Sequence, residues 1–113
     1  MYNYKGIKIL LDLEKNTSIY EIYYLIAVGY YKLKNFLNCK TYIDKAAEFK
    51  ADDWKLELLL AKFYKKTEKF KNALEILKNI KDFKNIPEVI YLISEIYQSR
   101  EMKQKADEYM EVV

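Results

Sequence analysis

Hydrophobic residues recur along this chain at helical spacing, in a series of short segments separated by polar turns. The first lies over residues 4–14, where Ile7, Leu10 and Leu11 share a face and Asn16 and Thr17 end the run. Ser18 with Glu21 three residues later reads as a capping box, in which hydroxyl and carboxylate each satisfy an orphan backbone N–H. The helix it opens carries Tyr23, Ile26, Ala27, Tyr30 and Leu33, and Lys34-Asn35 form the turn. A partner helix from Phe36 to Phe49 follows, with Phe36, Cys39, Tyr42, Ile43 and Ala46 inward. Asp52 and Asp53 are N-cap candidates for Trp54 to Lys66, whose apolar face is Leu56, Leu59, Leu60, Phe63 and Tyr64. A turn at residues 67–69 leads to Phe70–Ile80, with Phe70, Ala73, Leu74, Leu77 and Ile80 inward. After a loop, Pro87 opens a helix through Tyr97, where proline is tolerated because a first-turn N–H has no partner in any case. A last helix spans Gln104 to Val112.

These segments repeat. A shift of 34 residues lays Ala27 on Ala61, Tyr30 on Tyr64, Phe36 on Phe70, Cys39 on Ala73, Ile43 on Leu77 and Ala46 on Ile80. A further 33 brings Ser94, Tyr97, Ala106, Met110 and Val113 to the same sites, although the aromatic ahead of the second helix is lost at Met102-Lys103. A helical hairpin of about 34 residues is the tetratricopeptide period. Small residues at the Ala27 and Cys39 sites let the two helices of a hairpin approach, and the flanking aromatics fill the space between hairpins. One hairpin cannot bury its own apolar face, so the units stack. The expectation is an all-α fold in one domain, a tetratricopeptide-like right-handed superhelix of about seven short antiparallel helices. It comprises a lone helix (4–14), unit one (18–49), unit two (53–81) and a degenerate unit three (87–113).

Composition sharpens this picture by exclusion. Two glycines and one proline in 113 residues are too few for the turns of a sheet protein. No run approaches the roughly 18 apolar residues of a membrane span, and the first residues lack the pattern of a secretory leader, so an intracellular domain is expected. The single cysteine, Cys39, has no partner for an internal disulfide and occupies a small core site. The chain has no histidine, which removes Ser-His and Cys-His nucleophile pairs and the commonest metal ligand. It has no glycine-rich phosphate loop either. No enzymatic activity, metal or cofactor is expected.

Net charge is +3, and Arg100 is the sole arginine among 20 basic residues. Base and phosphate recognition usually employs arginine forks, so nucleic acid is not the expected partner. Residues 55–84 carry nine lysines against four acids, which reads as a solvated helix face or, less readily, as a surface for an anionic partner.

The first helix of each tetratricopeptide unit lines a concave groove. That geometry nominates Tyr24, Val28, Tyr31 and Lys32 in unit one, Leu58, Lys62, Lys65 and Lys66 in unit two, and Tyr91, Glu95 and Gln98 in unit three. An aromatic patch beside a basic one suits an amphipathic, partly acidic peptide of a partner protein. The opposing reading packs the tyrosines against the N-terminal helix and leaves the lysines solvated. Tyr24 and Val28 stand where chaperone-binding repeats carry a carboxylate clamp, so a chaperone-tail role is not expected. Gly29 falls inside a helix at a cost of up to ~1 kcal/mol relative to alanine; either a neighbouring helix or a ligand approaches its backbone, or the glycine is tolerated there.

One stretch is more specific than the repeat. Lys5-Gly6-Ile7, then Tyr24, Leu25, Ile26, Ala27, Val28, Gly29, Tyr31, Leu33, Lys34 and Phe36, resembles the mitochondrial fission 1 protein family in order and separation. The likeness runs from about residue 4 to residue 49. It implies a tail-anchored adaptor at the mitochondrial or peroxisomal outer membrane whose groove recruits fission machinery. The family's first helix has no counterpart here, its membrane anchor is absent from this chain, and a further helical unit follows residue 80. The alternative expectation is a soluble tetratricopeptide scaffold subunit of a larger cytosolic complex.

Overall fold

The computed structural model describes residues 18–50 and 52–112. Five α-helices and one short 3-10 turn make up the described residues, with no strand among them. The expected helix over 4–14 lies outside the described residues. The other difference from seven helices is at the C-terminal end, where two expected helices are one. The chain divides into two compact units between Leu56 and Glu57.

In the first unit, α1 (Ile19–Lys32) and α2 (Phe36–Ala47) form a hairpin. The Ser18 hydroxyl accepts the Glu21 N–H at 3.3 Å, so the hydroxyl half of the capping box starts α1 where expected. The turn is a Schellman motif made without glycine. Lys34 takes the left-handed conformation at φ 61°, its N–H reaches the Tyr31 carbonyl, and the Asn35 N–H reaches the Tyr30 carbonyl. Asn35 then caps α2, its side chain accepting the Asn38 N–H at 3.2 Å. Because Leu33 is the C-cap of α1, it is 67% exposed rather than inward. Between the helices Ala27, Cys39 and Ala46 are fully enclosed and Ile43 nearly so. An aromatic layer flanks them, with Tyr42 contacting Tyr23 at 5.9 Å and Tyr30 at 5.7 Å between ring centres.

α3 (Trp54–Lys66) begins at an Asp53 cap whose carboxylate accepts the Lys55 N–H at 3.1 Å. Leu56 and Leu58, about 200° apart around the helix axis, are both buried, as are Leu59 and Ala61. The burial of Leu58 corrects the groove-facing expectation for it, while Lys62 and Lys65 of the same helix stay partly exposed. α4 (Phe70–Lys78) follows a second Schellman turn. Here Glu68 has φ 63°, its N–H reaches the Lys65 carbonyl, and the Lys69 N–H reaches the Tyr64 carbonyl at 2.8 Å. Lys34 and Glu68 are 34 residues apart, so the repeat is written in the backbone as well as in the side chains. Ala73, Leu74, Leu77 and Ile80 are buried.

A 3-10 turn at Phe83–Asn85 leads to α5, a single helix over Pro87–Val112. No turn breaks it at residues 98–103, so the second hairpin helix expected at 104–112 continues straight on. Val89, Leu92 and Ile96 are buried, at i, i+3 and i+7. Ser94, placed by the repeat at the close-approach site of Ala27 and Ala61, is exposed, and Tyr97 is 45% exposed. The reason is topological. That side of the helix packs only when a second helix folds back against it, and among the described residues none does.

Candidate functional site

In the first unit an open cleft of about 830 Å³ lies over the start of α1 and the end of the α2 segment. Ile19, Tyr20, Tyr24, Leu25 and Phe49 supply its apolar wall, and Lys50, Lys55, Glu21 and Asp53 its polar part. Ile19, Leu25 and Phe49 are large side chains left 50%, 44% and 56% exposed. α1 places Tyr20 and Tyr24 one turn apart with Leu25 next to Tyr24 in sequence, and Tyr20 stacks on Tyr24 at 6.5 Å between ring centres.

A polar brace stiffens this wall. The Tyr20 hydroxyl donates to Asp53 Oδ2 at 2.7 Å, while Oδ1 of the same carboxylate caps α3. Burial, then the hydrogen bond to an anion, pushes the Tyr20 hydroxyl well above its ordinary range. Burial acts first on Asp53 too and favours its neutral form. It is outweighed by the Tyr20 hydrogen bond, the Lys55 N–H and the charges of Lys50 and Lys55, so Asp53 titrates below its ordinary value. Tyr24 is raised by burial and by the Asp53 charge. Lys50 sits 5.8 Å over the Tyr20 ring. The cleft is therefore an aromatic floor held by a fixed anion, with lysines at its margin.

In the second unit a smaller open cleft of about 410 Å³ is lined by Lys62 of α3 and Pro87, Glu88, Tyr91, Leu92 and Glu95 of α5. Lys65 pairs with Glu95 at 3.7 Å beside it. Tyr91 is 68% exposed.

The expected groove residues thus divide. Tyr24 lines the first cleft, and Lys62 and Tyr91 line the second with Lys65 at its edge. Val28 is half-buried and Lys32 is exposed in the last turn of α1. Tyr31 meets Phe36 edge-on at 6.1 Å and so braces the first turn. Leu58 is buried. Leu25, Phe49 and Lys50 escaped the sequence reading because it tracked one helix face, whereas the cleft wraps around the α1 N-terminus. Asp53 was legible as a cap, but its bond to Tyr20, 33 positions away, was not. Gly29 has no atom within 4 Å of where a Cβ would stand, so no close approach accounts for it among the described residues. Cys39 is enclosed and burial pushes its thiol up to about 11, as suits a small core hydrophobe.

No group of His, Cys, Asp and Glu among the described residues could hold a metal ion. No helix among them is long and apolar enough to cross a membrane. Comparison with family models, curated proteins and solved structures returns no match.

Proposed function

We propose that this protein is a non-enzymatic adaptor that holds a short segment of a partner protein, with the cleft of the first unit as its main site. The observation that carries this reading is the open aromatic wall. Ile19, Leu25 and Phe49 remain substantially exposed around the braced Tyr20–Tyr24 pair. Large apolar side chains clustered on a rigid concave surface and bordered by charge are what peptide-binding surfaces offer. Lys50 and Lys55 at the margin favour a segment with acidic residues beside its apolar anchors. Such a segment enters as a helix with anchors at i and i+4, or as an extended strip.

The test is panning of a displayed random-peptide library on the full chain. Enriched peptides should pair apolar anchors with acidic neighbours. Leu25→Asp should abolish capture with helical content retained, because Leu25 is 44% exposed in the cleft wall and is not among the enclosed residues of the hairpin. A library that yields nothing above the blank, or capture indifferent to Leu25→Asp, sinks the proposal. The sequence likeness between Lys5 and Phe36 supports placing this adaptor with organelle fission machinery. Co-purification of the native protein with an outer-membrane fraction, as opposed to a soluble stoichiometric complex, decides that setting.

A further inference from the structure

The exposed side of α5 has a candidate occupant within this sequence. Ile90, Ser94 and Tyr97 follow one another at i, i+4 and i+7, and Ile90 and Tyr97 are 42% and 45% exposed. A helix face that a repeat array leaves to solvent is polar, and this stripe is not. In the first repeat the second helix of the hairpin covers the same side, with Ala27 and Cys39 enclosed, and in the second Ala61 and Ala73 are likewise enclosed. The third repeat retains the sequence of such a helix. Ala106, Tyr109, Met110 and Val113 recur at i, i+3, i+4 and i+7, with Ala106 in register with Cys39 and Ala73.

In its own chain this segment is out of reach. α5 is continuous, so Ala106 stands about 18 Å along the helix axis from Ser94. We propose that residues 104–112 of one copy dock on the Ile90–Ser94–Tyr97 stripe of a second copy, and the reverse. Two chains thereby complete each other's third hairpin in a swapped dimer. Charge agrees with this occupant. Segment 104–112 carries Asp107, Glu108 and Glu111 against Lys105 alone. The receiving side offers Lys78, whose ammonium lies 2.7 Å from the Tyr97 hydroxyl, and Arg100, which lines a shallow hollow with Tyr97, Glu101 and Gln104.

The test reads oligomeric state and contact together. Sedimentation of the full chain should show a dimer. Tyr97→Glu, on an exposed position, and Ala106→Arg should each weaken it at least about tenfold, as loss of a central contact does, with helical content retained. A short Gly-Asn-Gly insertion after Glu101 should let the segment fold back and leave a monomer. An oxidised mixture of Ser94→Cys and Ala106→Cys chains should form a disulfide between copies, since native Cys39 is enclosed. Three outcomes overturn the proposal: a monomer at every concentration, a dimer that ignores Tyr97→Glu and forms no 94–106 bond, or a chain bearing both cysteines that closes the bond within a monomer.

Discussion

The first repeat and the third have the same helical spacing and opposite outcomes. In the first, α1 stops at Lys32, Lys34 enters the left-handed region, and α2 returns along it. In the third, Glu101 holds the register position of Lys34 and Glu68 yet remains inside a helix. Left-handed backbone costs a non-glycine residue about 1–2 kcal/mol, so each turn needs something to offset it. In the first two repeats an aromatic stands two residues after the turn, Phe36 and Phe70; Phe36 meets Tyr31 edge-on, and in the second repeat the Lys69 ammonium lies 6.0 Å from the centre of the Tyr64 ring. The third repeat has Lys103 at that place, and its ammonium goes instead to Glu68 at 2.7 Å. With no aromatic to hold a returning chain, the backbone keeps its i→i−4 hydrogen bonds and the helix continues. The open face of the third repeat thus goes with a lysine where the first two carry an aromatic.

The sharpest way to break this comparison is to overpack a closed repeat. Ala61→Trp, at a site with no exposed surface, should lower stability by about 3 kcal/mol or more. Tryptophan at Ser94, the exposed third-repeat equivalent, should change stability by less than about 1 kcal/mol. Equal effects on the two melting curves would mean the third repeat is packed like the second.

A middling effect is expected from the brace peculiar to the first unit. A 34-residue shift puts Trp54 and Pro87 at the sites of Tyr20 and Asp53, so the second repeat has no such bond. Tyr20→Phe should cost about 1.5–3 kcal/mol, the range of a hydrogen bond to a charged group. The sign with pH follows from both shifts. Asp53 is lowered on folding, so its contribution is present above its unfolded pKa of about 3.9 and fades as pH falls through the folded value. Tyr20 is raised, so its contribution is present below about pH 10 and is lost as pH climbs through its folded value. Denaturant midpoints of Tyr20→Phe should approach wild type at acid pH, and a constant gap from pH 3 to 7 would contradict the brace.

The smallest effect sharpens the comparison most. Lys34→Gly and Glu68→Gly should each stabilise, or at worst be neutral, by about 0.5–1 kcal/mol, because glycine relieves the left-handed strain. Glu101→Gly should destabilise by about the same amount, as glycine does inside a helix. Chemical denaturation of the three variants reads this directly. The same sign at all three positions would place Glu101 in a turn.

Most of the helical plan was legible because it depends on local rules. Ser18 and Asp53 cap as their residue types suggest, Pro87 begins a helix, and Ala27, Ala61, Cys39 and Ala73 are enclosed where the repeat put them. The candidate site was less legible. The sequence reading followed one face of each first helix and found Tyr24, Lys62, Lys65 and Tyr91. It missed the cleft wall at Ile19, Leu25 and Phe49, which is made by a helix end and a loop with no periodic signature. Leu58, expected to face a groove, is buried, and Tyr31, for which groove and packing readings were both open, is half-buried against Phe36.

The helices of the first two repeats, the caps at Ser18 and Asp53, and the 34-residue register that matches small residue to small residue were readable from the sequence alone. Those features depend on contacts within a few positions or on a spacing that repeats. Tertiary structure decided which repeats close. A left-handed turn is stable only when the helices it joins repay its strain by packing, and at Glu101 no such contact forms. It likewise decided that Tyr20 and Asp53 meet, since a hydrogen bond across 33 positions depends on where two helix starts are brought, which no local pattern encodes.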